Sequence, residues 1–160
     1  TQARIAMKVL LTDDSRTIRI LLHNLLDQLG ITDVHECQNG REALEQLVKQ
    51  HFDLILLDIH MPEADGLTVL EFIKQNPEST HKEIPVVVIS SDTDYRQIEK
   101  ARDLGAYGYI KKPFRRDGLA AAIEAAAKIH ERSQRANRVQ SLVSEMTTGE
   151  ESAQTIIAAQ

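Results

Sequence analysis

The stretch Lys8-Val9-Leu10-Leu11-Thr12-Asp13-Asp14 decides how this chain folds: a short apolar run stops abruptly at two carboxylates. A run that is apolar at successive positions, rather than alternate ones, predicts a strand buried on both faces. From Ser15 the period changes. Ile18, Leu21, Leu22, Leu25, Leu26 and Leu29 recur three and four residues apart, predicting a helix capped by Asp14 or Ser15 and ended by Gly30.

Working outward, this strand-then-helix unit repeats. Residues 34–37 predict a brief second strand and 40–50 a second helix, with Ala43, Leu44, Leu47 and Val48 on one face. Residues 53–57 (Asp-Leu-Ile-Leu-Leu) predict a third strand closed by Asp58, and 66–75 a helix carrying Leu67, Val69, Leu70 and Ile73. A fourth strand is expected over 84–89 with Pro85 at its entry, a helix over 94–104 ended by Gly105, a fifth strand over 107–110, and a long helix from Arg116. Five such units predict an α/β fold: a doubly wound parallel sheet with helices on both faces. In such sheets ligands sit outside the carboxyl ends of the strands.

That edge carries Asp13 and Asp14 after the first strand, Asp58 after the third, Ser90 after the fourth and Lys112 after the fifth. Taken singly, each has a bland explanation: Asp-Asp caps a helix, a strand-end Ser is structural, Lys-Pro is a turn. Their joint position favours function. Crowded carboxylates repel one another, and a hard cation such as Mg²⁺ relieves this. An ammonium and a hydroxyl beside them suit phosphate oxygens. Together they fit a site where one carboxylate accepts a phosphoryl group.

The motifs Leu-Leu-Thr-Asp13-Asp14-Ser, Leu-Asp58-Ile-His-Met61-Pro62-Glu-Ala-Asp65-Gly66, Val-Ile-Ser90-Ser and Tyr109-Ile-Lys-Lys112-Pro113-Phe114 resemble the receiver domain of two-component response regulators, similar to the single-domain chemotaxis regulators. The resemblance runs from about Met7 to Ala127. It implies a flavodoxin-like five-stranded sheet in the order 2-1-3-4-5, Asp58 as phosphoacceptor, and direct Mg²⁺ ligation by Asp14 and Asp58. Asp13 would orient metal-bound waters, and the backbone carbonyl of His60 would complete the metal's coordination. Lys112, rather than Lys111, takes the family's lysine role, and the Lys112–Pro113 bond is expected to be cis. Ser90 and Tyr109 stand at the switch positions, through which the surface of the fourth helix, fifth strand and fifth helix would change shape. A packed edge aromatic is the plain alternative for Tyr109.

The implied partners are a sensor histidine kinase or phosphotransfer protein and a downstream protein target; the implied compartment is the cytoplasm. Ser91 stands where the family most often has Ala, and His60 lies two residues after the phosphoacceptor. Both are expected to set how long a phosphoryl group survives. A receiver carries out its own phosphorylation and hydrolysis, but as a signalling domain and not as an enzyme.

Other classes fit less well. A haloacid-dehalogenase-like phosphatase needs a second Asp two residues after the nucleophile, where this chain has His60. A flavodoxin-like cofactor carrier needs Ser, Thr or Gly after the first strand, where Asp13 and Asp14 would repel a phosphate. The six histidines show no paired spacing for zinc, and the single cysteine, Cys37, excludes an internal disulfide.

Composition agrees with a compact domain: 160 residues, 42% apolar, 27% charged, 4% aromatic and no Trp, so the core is aliphatic. No apolar run approaches the ~20 residues of a membrane span, and Thr1–Met7 shows no signal-peptide pattern. The net charge of −5 is uneven. Residues 111–138 hold eight bases against three acids, whereas the last 22 hold three Glu and no base. The basic stretch (Arg115, Arg116, Lys128, Arg132, Arg135, Arg138) lacks interleaved aromatics, which argues against nucleic acid.

These features divide the chain into a receiver at 7–128 and a helical extension or linker at 129–160. Thr147-Thr148-Gly149 is expected to break the long helix, with a capping box at Thr148 starting a last short one. The extension is too short for a DNA-binding output domain. It is read as a dimerising helix, a docking tail, or a linker from a longer regulator whose output domain is missing.

Overall fold

The computed structural model describes residues 5–91 and 95–158. Along the chain run β1 (Lys8–Thr12), α1 (Arg16–Gln28), β2 (Asp33–Cys37), α2 (Gly40–Lys49), β3 (Leu54–Asp58), α3 (Gly66–Gln75), β4 (Val86–Ser90), α4 (Tyr95–Asp103), β5 (Gly108–Lys111) and α5 (Arg116–Ala158). The strands form one parallel sheet in the order β2-β1-β3-β4-β5. This is the doubly wound architecture that the repeated units predict.

The continuous apolar runs explain the layering. In β3, Leu54 and Leu56 face one core with Leu22, Leu25 and Leu26 of α1 and Leu119 and Ile123 of α5. Ile55 and Leu57 face the other, against Ala43 and Leu47 of α2 and Val69, Leu70 and Ile73 of α3. All four β3 leucine and isoleucine side chains are fully buried, each contributing roughly 1.5–3 kcal/mol. A sheet sandwiched in this way holds its carboxyl edge rigidly.

Several boundaries differ from expectation for identifiable reasons. Strand β4 begins at Val86 and not at 84, because Pro85 has no N–H to give; its carbonyl still accepts from Ile55 N at 3.1 Å. Strand β3 starts one residue later than expected, Asp53 instead receiving the Lys8 amide on its carboxylate at 2.8 Å. Val48 is 76% exposed, since α2 turns Ala43 and Leu47 inward, with Leu44 at the margin of the core. The expected start of α4 at Asp94 lies outside the described residues.

The largest difference concerns α5, which continues through Gly149 as one helix to Ala158. The hydroxyls of Thr147 and Thr148 do not cap a new helix. They donate back to the carbonyls of Val143 and Ser144, at 3.0 and 2.9 Å, and are satisfied within the existing turn. Contacts divide the chain into two units, Thr1–Ala127 and Lys128–Gln160.

Candidate functional site at the carboxyl edge of the sheet

Strand register brings the expected residues to one edge. Thr12, the residue before Asp13, pairs with Leu57, the residue before Asp58. Asp58 pairs with Ile89, and Ser90 with Lys111. Lys112 follows at once, its amide donating to the Ser90 carbonyl at 2.8 Å. The loops leaving this edge are fixed by helix caps: the Ser15 hydroxyl, the Asn39 amide oxygen and the Asp65 carboxylate accept the amides of Ile18, Glu42 and Thr68.

Asp13, Asp14 and Asp58 each present a carboxylate oxygen within 4.8 Å of the others, the only grouping of three metal-ligating side chains among the described residues. Asp13 and Asp58 are buried, and Asp14 is exposed. Both Asp13 oxygens are engaged: Oδ1 accepts the Ser15 amide at 2.8 Å, and Oδ2 accepts from Lys112 Nζ at 2.6 Å. The same ammonium lies 3.6 Å from Asp58 Oδ1. Burial, and then the charges of Asp13 and Asp14, push the Asp58 carboxyl up to about 6; Lys112 and the His60 amide oppose the rise without cancelling it.

Three carboxylates against one ammonium leave an excess of negative charge on oxygen donors alone. That donor set fits a hard divalent cation such as Mg²⁺ and offers nothing to a soft one.

The remaining predicted residues take distinct places. Ser90 is fully buried at the end of β4, and its oxygen-bearing neighbour Ser91 is exposed. Tyr109 is half-buried on β5 against the α2–α3–α4 core. The His60 side chain is exposed. Lys111 is exposed, Lys112 half-buried, and Lys112–Pro113 is cis.

Three contributors have no signature in the local periodicity, although Gly66 ends the motif that begins at Leu57-Asp58. Arg19 of α1 donates Nη1 to the Asp13 carbonyl at 2.7 Å, and its Nε lies 3.4 Å from Glu36 of β2, pinning the backbone beneath the acidic cluster. Its position on α1 gives no periodic hint of this. Gly66 brings its Cα so near the Asp58 backbone that a methyl group there would overlap the Asp58 carbonyl oxygen. Gly40 stands equally close to Ala64, whose φ of 105° lies in a region that costs a non-glycine residue about 1–3 kcal/mol. A glycine dictated by a neighbouring strand is invisible to local pattern.

Comparison with known proteins follows the same outline. The family model described as "Response regulator receiver domain" matches residues 9–124. The chemotaxis protein CheY-3 of Vibrio cholerae is 38% identical over 108 residues, covering 68% of this chain and 82% of that protein. The DNA-binding transcriptional regulator NtrC of Escherichia coli is 35% identical over 132 residues, covering 82% of this chain but 27% of its own length. Among solved structures, the signal receiver domain of an HD domain-containing protein from Pseudomonas fluorescens superposes with a TM-score of 0.73 at 26% identity, covering 84% of this chain and 96% of that one. Among the described residues no helix is long and apolar enough to cross a membrane.

Proposed function

This chain belongs to the response regulator receiver domain family, and from that premise we propose that Asp58 accepts a phosphoryl group from a histidine kinase or phosphotransfer protein. Receiver domains are signalling domains, and their family binds Mg²⁺ at an acidic cluster such as Asp13, Asp14 and Asp58 form here. The observation that carries the reading is the joint approach of Lys112 to Asp13 and Asp58 at the end of a rigid sheet.

An Asp58 carboxylate oxygen attacks phosphorus, the bond from phosphorus to the donor imidazole nitrogen breaks, and that nitrogen recovers a proton from solvent. The product is an acyl phosphate; water later attacks it at phosphorus and returns the carboxylate. Lys112 neutralises a phosphoryl oxygen, and Ser90 donates its hydroxyl to another. Asp14, Asp58 and the His60 carbonyl would hold Mg²⁺, with Asp13 orienting its waters; when bound, the ion supplies further charge neutralisation. Arg19 keeps the Asp13 backbone in place.

Engagement of Ser90 by the phosphoryl group pulls its hydroxyl inward, and Tyr109 turns towards the space it leaves. The surface of α4, β5 and the start of α5 then changes for a downstream protein partner. The match to under a third of NtrC favours one second reading: this chain is the receiver part of a longer regulator.

Incubation with a small acyl phosphate donor and Mg²⁺, followed by mass mapping, tests the acceptor. Modification at Asp58 supports the proposal, and modification elsewhere overturns it. For the switch, a phosphoryl mimic such as beryllofluoride is expected to shift the Tyr109 ring resonances in wild type and not in Ser90→Ala. Equal shifts in both would remove Ser90 from the relay.

A further inference from the structure

Residues 131–149 of α5 are exposed throughout. Within them Val139, Leu142, Val143 and Met146 recur at helical spacing, each 55–68% exposed. Four large apolar side chains on one stripe need a partner to leave water.

The charge pattern says which partner. Lys128, Arg132, Arg135 and Arg138 precede the stripe with Glu131 among them, whereas from Val139 onward every charged residue is a glutamate: Glu145, Glu150 and Glu151. The helix is unbroken between these blocks, so both lie on one rod. The midpoint between the basic and acidic blocks falls near residue 141, inside the apolar stripe. Two independent features, charge and hydrophobicity, therefore share one centre.

We infer that residues 132–151 pair with the same segment of a second copy of this chain, antiparallel about a two-fold axis between Ser141 and Leu142. In this register Arg138 lies level with Glu145 of the second copy and position 132 with its position 151, while the apolar stripes meet at the centre. An in-register parallel pair would instead set base level with base and acid level with acid at these positions. Self-complementary surfaces of this kind are what a two-fold dimer requires.

The test uses the full chain. Sedimentation equilibrium is expected to show a dimer that weakens about threefold or more when ionic strength rises from tens to hundreds of millimolar, because facing charges are screened. Leu142→Asp is expected to weaken it about tenfold or more. Orientation is read by single cysteines, Cys37 being buried with its thiol pushed up to about 12. Leu142→Cys chains lie within about 2 Å axially of one another and cross-link to themselves, whereas Ala136→Cys chains stand about 16 Å apart and do not. Self-cross-linking at both positions means a parallel pair and overturns the proposal. A monomer at all concentrations overturns it too, whether the stripe then folds back on its own chain or awaits a different protein.

Discussion

Lys112 makes its 2.6 Å contact with Asp13, and Asp58 receives only its more distant attention at 3.6 Å. The ammonium is thereby committed to Asp13, whose other carboxylate oxygen is already held by the Ser15 amide. Asp58, buried and beside two other carboxylates, keeps a carboxyl raised to about 6. A carboxyl group in this setting is ionised at neutral pH at a cost in stability.

That cost has a sign that can be checked. A carboxyl raised in the folded state from 3.8 to about 6 makes the folded state hold its proton more tightly, so ionising it above pH 6 destabilises the fold. Asp58→Asn is expected to be more stable than wild type at pH 7.5, in chelator, by on the order of 2 kcal/mol. The difference should shrink through pH 6 and vanish near pH 4. Urea unfolding at these pH values measures it, and a constant difference would contradict the assignment of the strain to ionised Asp58.

Gly66 supports the same residue from behind. Gly66→Ala is expected to lower stability by roughly 1–3 kcal/mol, because backbone and not a flexible side chain must yield. Gly118→Ala, on α5 with nothing within 4 Å of the added methyl, is expected to raise it by about 0.5–1 kcal/mol. Thermal unfolding of the two variants distinguishes a positional requirement from a general intolerance of alanine.

At the opposite edge of the sheet, buried His81 accepts the Phe52 amide on Nε2 at 3.2 Å and stacks on His51 with ring centroids 5.2 Å apart. Burial and then His51 lower its pKa from 6.5, the Gln50 backbone opposing. The unfolded chain therefore takes up this proton first, and stability is lost as pH falls below about 6.5 towards the folded value. His81→Gln, which keeps an acceptor without the titration, is expected to flatten the dependence of the urea midpoint between pH 7 and 5. An unchanged slope would assign the acid sensitivity to other groups.

His60 and Ser91 both expose their side chains beside the site, so each can alter how water reaches a phosphoryl group on Asp58. Acyl phosphate decay is expected to change severalfold in His60→Ala, in Ser91→Ala or in both. Unchanged decay in both variants would remove the idea.

The strands and the edge they build were legible because burial on both faces leaves uninterrupted apolar runs, and because Asp13, Asp58, Ser90 and Lys112 each stop one. What sequence could not carry is non-local. Gly66 answers to the Asp58 carbonyl, Gly40 to the Ala64 carbonyl, and Arg19 to the Asp13 carbonyl, across gaps that no period links. The supposed break at Thr147–Gly149 failed for a different reason: threonine hydroxyls cap a helix or bond back into it, and local sequence does not choose between the two.

The most direct measurement is labelling by a small acyl phosphate donor, with Mg²⁺ or with chelator, of wild type and Asp58→Asn. The account predicts stoichiometric, Mg²⁺-dependent labelling of wild type and none of Asp58→Asn. Equal labelling of the two proteins would contradict it.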